Sequence, residues 1–180
     1  VIYGAGAVAC LGEKVKEMGC KKVMCVYDAG VKMAGLGEKA EASLKAAGVD
    51  YIVYDKVAAD PPDSLLDEIT DIAREAQIDG IIGVGGGSSL DTAKAIGILM
   101  KYPSPINQYL NLFGPPSFYE SGVPLVLIPT TAGTGSEVTK MCLVTYVEKN
   151  MKLPIYVTAS LAILDPELCC TAPASVTANG

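Results

Sequence analysis

The sequence predicts an α/β fold, a parallel sheet covered by helices on both faces. Three observations carry that expectation. Short apolar runs alternate with stretches of helical spacing along the chain. The strand-like runs are apolar almost throughout, as in sheets buried on both sides. Glycine-rich turns follow directly on three of those runs, where a chain leaving a strand turns into the next element.

In chain order, "VIYGAG" opens in mid-strand. "KKVMCVYD" is a short buried run ending at Asp28. "KAEASLKAAG" has helical spacing and a glycine stop at Gly48. "VDYIVYDKV" is rich in Val, Ile and Tyr and reads as a strand. "PPDSLLDEITDIAREAQID" opens on prolines and an Asp/Ser cap region. It sets Leu65, Leu66, Ile69, Ile72 and Ala73 on one helical face. "GIIGVG" is the next strand and "SSLDTAKAIGILMK" the next helix, expected to start at Ser88 or Ser89. "PLVLIP" is a further strand, followed by "TTAGTGSE". The Pro-, Gly- and Asn-rich "YPSPINQYLNLFGPPSFYESGVP" reads as a long surface excursion. There is no internal repeat and no low-complexity segment.

The 180 residues suffice for one ordinary domain with a real core. Half are hydrophobic and 19% charged, a globular composition. The net charge of −6, with no Lys/Arg cluster, argues against nucleic acid or an anionic membrane as partner. No apolar run reaches the ~20 residues of a membrane span, and the first residues lack the basic start of a signal peptide. None of the six cysteines forms a C-x-x-C pair, so the expectation is reduced thiols in a cytoplasmic protein. Histidine is absent, which removes His-based acid–base chemistry and His-ligated metal from this stretch. Both ends look cut, and the chain reads as the N-terminal portion of something larger.

The central motif is "GVGGGSSLDTAK". A glycine loop between a strand and a helix lets backbone N–H groups approach a phosphate, and the helix dipole favours its charge. Ser88 and Ser89 can cap the helix or donate to phosphate oxygens. The alternative is a tight turn with nothing bound. A P-loop is excluded because Lys94 stands in the wrong place for G-x-x-x-x-G-K-[ST]. "GAGAVA" (Gly4 to Ala9) competes: it fits G-x-G-x-x-A after a strand, and Asp28 follows about 20 residues on, making it a fair Rossmann fingerprint. A carboxylate at Asp28 can accept from a ribose diol and repels a 2′-phosphate, favouring NAD over NADP. It can equally cap the next helix. The third cluster, "PTTAGTGSE", places the hydroxyls of Thr130, Thr131, Thr134 and Ser136 at the same sheet edge, suited to a diphosphate or a nicotinamide ribose.

"GGGSSLDTAK" and "PTTAGTGSE", about 45 residues apart, together resemble the iron-containing (group III) alcohol dehydrogenase family. "YGAGA", "YDAG" and "AILDPEL" followed by "TAPASVTANG" extend the resemblance essentially end to end. The resemblance implies the Rossmann-like N-terminal domain of a two-domain, dehydroquinate-synthase-like fold. Residues 1–164 would form the dinucleotide-binding domain and residues 165–180 the start of a connection to a helical domain outside this chain. It implies NAD, with NADP less favoured, and a divalent metal, iron or zinc, held by that second domain. Position by position, Gly86, Gly87, Ser88 and Asp91 match the pyrophosphate loop, and Asp28 the residue beside the adenosine ribose. Thr130, Thr131, Thr134 and Ser136 match the nicotinamide-side loop, and Lys152 in "MKLPI" the lysine approaching the nicotinamide ribose. Asp60 in "AADPP" matches a position usually filled by Asn or Glu. On this reading "GAGAVA" is partly a decoy.

The family's metal ligands begin in a Met-Asp-Ala-x-x-His segment, which would start where this chain stops, so no metal ligand and no catalytic residue is assigned within it. Asp165 matches no ligand position, and its expected role is to order a turn. The implied activity of the intact protein is hydride transfer between an alcohol, or its aldehyde or ketone, and NAD(P). This chain alone is expected to be inactive. Rival readings are a glycerol dehydrogenase or maleylacetate reductase of the same fold, and a nucleotide-binding module without catalysis. A small alcohol or aldehyde substrate and a homo-oligomer are the implied partners.

Overall fold

The computed structural model describes residues 1–110, 121–170 and 172. Its strands are β1 (Ile2–Tyr3), β2 (Lys22–Val26), β3 (Asp50–Tyr54), β4 (Gly80–Gly85), β5 (Leu125–Pro129), β6 (Met141–Tyr146), β7 (Met151–Tyr156) and β8 (Leu161–Leu164). Its helices are α1 (Leu11–Glu17), α2 (Ala29–Met33), α3 (Leu36–Ala47), α4 (Asp63–Glu75) and α5 (Gly87–Leu99).

Six strands form one sheet in the order β1-β8-β5-β4-β2-β3, and every pairing is parallel. The near-continuous apolar strands are explained by the two cores they separate. On one side Met24, Val26, Ile81, Leu125 and Leu127 pack against Leu66, Ile69 and Ala73 of α4 and Leu90 and Ala93 of α5. On the other side Val23, Cys25, Ile82, Val84, Val126 and Ile128 pack against Leu11 and Val15 of α1 and Ala40 and Leu44 of α3. Successive strand residues point to opposite faces, so a strand with helices on both sides must be apolar at every position. Each fully buried Val, Leu or Ile contributes about 1.5–3 kcal/mol.

Helix α5 is buried from Ser89 to Leu99 except at Asp91. Its outer side is covered by an antiparallel hairpin, β6–β7, whose Cys142, Val144 and Ile155 enter the core. The sequence reading did not anticipate this hairpin, nor the short α1 and α2. In β6 the buried Cys142 and Val144 alternate with the exposed Met141 and Leu143, so both faces are apolar and the period-two pattern is hidden.

Helix α5 also starts earlier than expected. Gly85 closes β4 with φ +144°, and Gly86 is extended at the N-cap. The helix therefore begins at Gly87, with Ser88 and Ser89 inside its first turn. Of the expected surface excursion, residues 111–120 lie outside the described residues, as do 171 and 173–180 of the expected connection. Among the described residues no helix is long and apolar enough to cross a membrane.

Candidate cofactor site

The chain leaves β2 toward β3 on one side and leaves β4 toward β5 on the other. A crevice opens between the carboxyl ends of strands that diverge in this way, and ligands of open α/β sheets bind there. Asp28 follows β2 and the Gly86–Ser89 turn follows β4, so both stand at this switch point.

Several polar side chains in the crevice are tied to neighbouring backbone or to one another. Asp28 Oδ1 accepts from the backbone of Gly30 (2.8 Å) and Val31 (3.0 Å), capping α2. Its Oδ2 accepts from Ser89 Oγ at 3.0 Å, joining the two strand ends. Ser88 Oγ accepts from the Asp60 amide at 3.3 Å, which leaves its hydroxyl hydrogen free to point elsewhere. No side chain caps α5, so its N-terminal amides and its dipole face the crevice. Asp60 has left-handed backbone (φ +51°), and its Oδ1 receives Lys152 Nζ at 2.6 Å.

The loop after β5 is tied to the same edge. The Thr130 amide donates to Gly85 O at 3.0 Å. A Cβ on Gly87 would stand 3.0 Å from Thr134 Cγ2, so the two loops are in close contact there and a larger residue would have to push the Thr134 side chain aside. Ser136 is 5% exposed and sits behind the cleft wall. It was expected to offer its hydroxyl to a ligand, but that hydroxyl donates to Asp91 Oδ1 at 2.5 Å. Asp91 Oδ2 accepts from the Leu143 amide at 3.0 Å, so this carboxylate braces β6 against α5. Burial pushes the Asp91 carboxyl up from its ordinary value, against the pull of those two hydrogen bonds.

The remaining predicted residues converge on three clefts. One, about 390 Å³, lies between Asp28 and Gly86–Ser89, with Val57 and Ala58 as its far wall. The second, about 270 Å³, runs from Asp60 and Lys152 past Ser88 and Asp91 to Thr134. The third, about 510 Å³, is lined by Asp28, Val31, Gly86, Thr130 and Thr131. Gly86–Ser88 thus stand at the junction of the three.

The competing "GAGAVA" turn is already filled. Asp165, 2% exposed, places its two carboxylate oxygens 3.1 Å from the amides of Gly6 and Val8. The chain's own carboxylate takes the place a phosphate would occupy. Oδ1, which accepts from Gly6, also accepts from the Glu167 amide and caps the turn Pro166–Leu168, the ordering role expected of Asp165. Sequence reasoning missed Lys94, which is fully buried beneath Ser136. Its apolar neighbours "DTAKAIGI" were a signal, since a lysine inside a helix buried all round must be paired.

The fold and the crevice define a doubly wound α/β domain with a glycine-lined ligand edge. Its sequence matches the model of the iron-containing alcohol dehydrogenases over residues 1–166. The chain is 38% identical over 179 residues to an NAD-dependent methanol dehydrogenase of Bacillus methanolicus, covering 98% of this chain and 46% of that protein. It is also 38% identical to a choline dehydrogenase of Bacillus subtilis, covering 98% of this chain and 44% of that one. Among solved structures, a 1,3-propanediol oxidoreductase superposes with a TM-score of 0.92 at 34% identity, over 98% of this chain and 46% of its own. A sulfoacetaldehyde reductase of Bifidobacterium kashiwanohense, crystallised with NAD+, gives 0.89 at 26% identity, over 98% of this chain and 47% of its own. The chain belongs to the iron-containing alcohol dehydrogenase family. It spans about half the length of the relatives it matches.

The described residues contain no group of three or more His, Cys, Asp or Glu able to hold a metal ion. They do not fit the metal of the family's name.

Proposed function

We propose that this domain holds NAD for an alcohol dehydrogenase that transfers hydride between a small primary or secondary alcohol and the cofactor. The supporting observation is the meeting of the Gly86–Ser88 turn with the Thr130–Thr134 loop at the switch point. The diphosphate would lie on the bare amides of Gly86, Gly87 and Ser88, with the α5 dipole behind them. Asp28 would face the adenosine ribose. Thr131, Thr134, Asp60 and Lys152 would line the nicotinamide arm, with Lys152 approaching the nicotinamide ribose. When bound, the nicotinamide supplies the hydride acceptor. Dependence of the whole protein on iron or zinc, a homo-oligomeric state and a cytoplasmic setting belong to the same reading.

The test is calorimetric titration of NAD+ into the full-length protein and its Gly87→Val variant, with folding checked by circular dichroism. The wild type should bind. The variant, with a branched side chain between the backbone and the diphosphate, should lose at least about tenfold in affinity. Equal affinities in two folded proteins would remove this loop from the site.

A further inference from the structure

Lys94 lies on α5 and is 0% exposed. Its ammonium, with three N–H donors, lies within hydrogen-bond distance of four acceptors, Ser136 Oγ (3.2 Å), Thr139 O (3.1 Å), Thr139 Oγ1 (3.3 Å) and Met141 O (2.9 Å). None of these acceptors is a carboxylate. Asp91 is reached through Ser136, whose hydroxyl accepts from Lys94 and donates to Asp91. Burying a cation is costly, and a methionine would fill the same volume without that cost. What the methionine could not do is gather oxygens from a segment outside any helix or strand. The segment Ser136–Lys140, between β5 and β6, is such a stretch, held locally by one turn in which the Val138 and Thr139 amides donate to Gly135 O. Its neighbour Thr134, whose Oγ1 accepts from the Ser136 amide at 3.3 Å, lines the cleft beside Gly87.

We infer that Lys94 is a positioning residue, which holds the Thr130–Ser136 loop in binding geometry from behind without touching the cofactor. It acts through Ser136 onto Thr134. The consequence is that one helix builds both halves of the site: the α5 N-terminus takes the diphosphate, and Asp91 and Lys94, one and two turns further on, fix the opposite loop. The inference rests on the cofactor reading above, and it assigns the defect of a Lys94 variant to one arm of the ligand.

The experiment compares NAD+ with ADP, a probe that carries the adenosine and diphosphate but no nicotinamide arm. Both are titrated into full-length wild type, Lys94→Met and Ser136→Ala. In both variants ADP should bind as it does to wild type, because Asp28 and Gly86–Ser88 are untouched. NAD+ should weaken by about tenfold or more, the worth of a lost hydrogen bond to a charged group. The double variant should be no worse than the weaker single one, since both break one chain of contacts. If Lys94→Met does not fold, Ser136→Ala carries the same comparison. Unchanged NAD+ affinity in the folded variants, or equal losses for ADP and NAD+, would overturn the inference. Wild type that binds neither probe would instead overturn the cofactor reading on which it rests.

Discussion

At the scale of single residues, two aspartates tie distant backbone segments together, and only one of them stands at the crevice. Asp28 has both oxygens engaged, one set on the α2 amides and one on Ser89. Replacement by glycine would therefore remove a helix cap as well as a charge. Asp28→Asn separates them, because the amide oxygen still caps α2. A 2′-phosphate at ~4 Å from a carboxylate, at an effective dielectric near 20, costs about 4 kcal/mol per unit pair before solvent screening. A third of that is about tenfold in affinity. The ratio of kcat/KM for NAD+ over NADP+ should thus favour NAD+ in wild type and fall about tenfold in Asp28→Asn. A wild type that prefers NADP+ would leave Asp28 as a cap alone. Asp165 gives the converse prediction. Asp165→Ala strands the Gly6 and Val8 amides and should lower unfolding stability by about 2 kcal/mol or more in denaturant titrations. Its NAD+ affinity should not change, because the "GAGAVA" turn is an internal joint. A specific loss of NAD+ binding would restore that turn to the site.

At the scale of elements, the close approach of α5 to β4 sets the geometry of the crevice. A Cβ at Gly83 would stand 2.7 Å from Ala93 Cβ and 2.9 Å from Leu127 Cδ2. These are packed core atoms with nowhere to go, so the helix must move or the strand must bend. Gly83→Val should cost about 1–3 kcal/mol in unfolding free energy. Because α5 carries Gly87 and Ser88 at one end and Lys94 in its middle, the same shift should weaken NAD+ binding in the folded fraction. Full stability in chemical denaturation would show that the helix packs less tightly than described. The hairpin β6–β7 covers the opposite side of α5, and Asp91 and Lys94 join it to the helix at Leu143 and Met141.

At the scale of the whole molecule, the two cores on either side of the sheet also bury three of the six cysteines. Cys25 and Cys142 are fully buried, and burial pushes both thiols up. Cys20 is pushed up to about 11, mainly by burial. The thiolate is the reactive form, so these three should be inert at neutral pH while the domain stays folded. The exposed Cys170 should label first with a disulfide reagent, and Cys25 and Cys142 only in denaturant. Mass mapping of labelled peptides checks this. Labelling of Cys25 in the native protein would mean that the sheet opens far more readily than its two-sided burial implies.

The sequence by itself determined the fold class, the strands β2 to β5, the helices α3 and α4, and the two polar loops at one edge. These follow from consecutive residues: apolar strands, helical spacing, and glycines where the backbone must turn. Tertiary structure decided what those loops are for. Asp165 fills the first glycine turn from 159 residues away, and Lys94 secures Ser136 across 42. Spacing along the chain cannot encode such partners, since they meet only after the strands have been ordered in the sheet. The hairpin stayed hidden because its outer face is as apolar as its inner one. The start of α5 shifted because Gly85, still inside β4, and the extended Gly86 complete the turn that all three glycines had been expected to share, which leaves Gly87 to open the helix. Local propensity places elements. Which amides are left open at the crevice is settled by every other group that could reach them first.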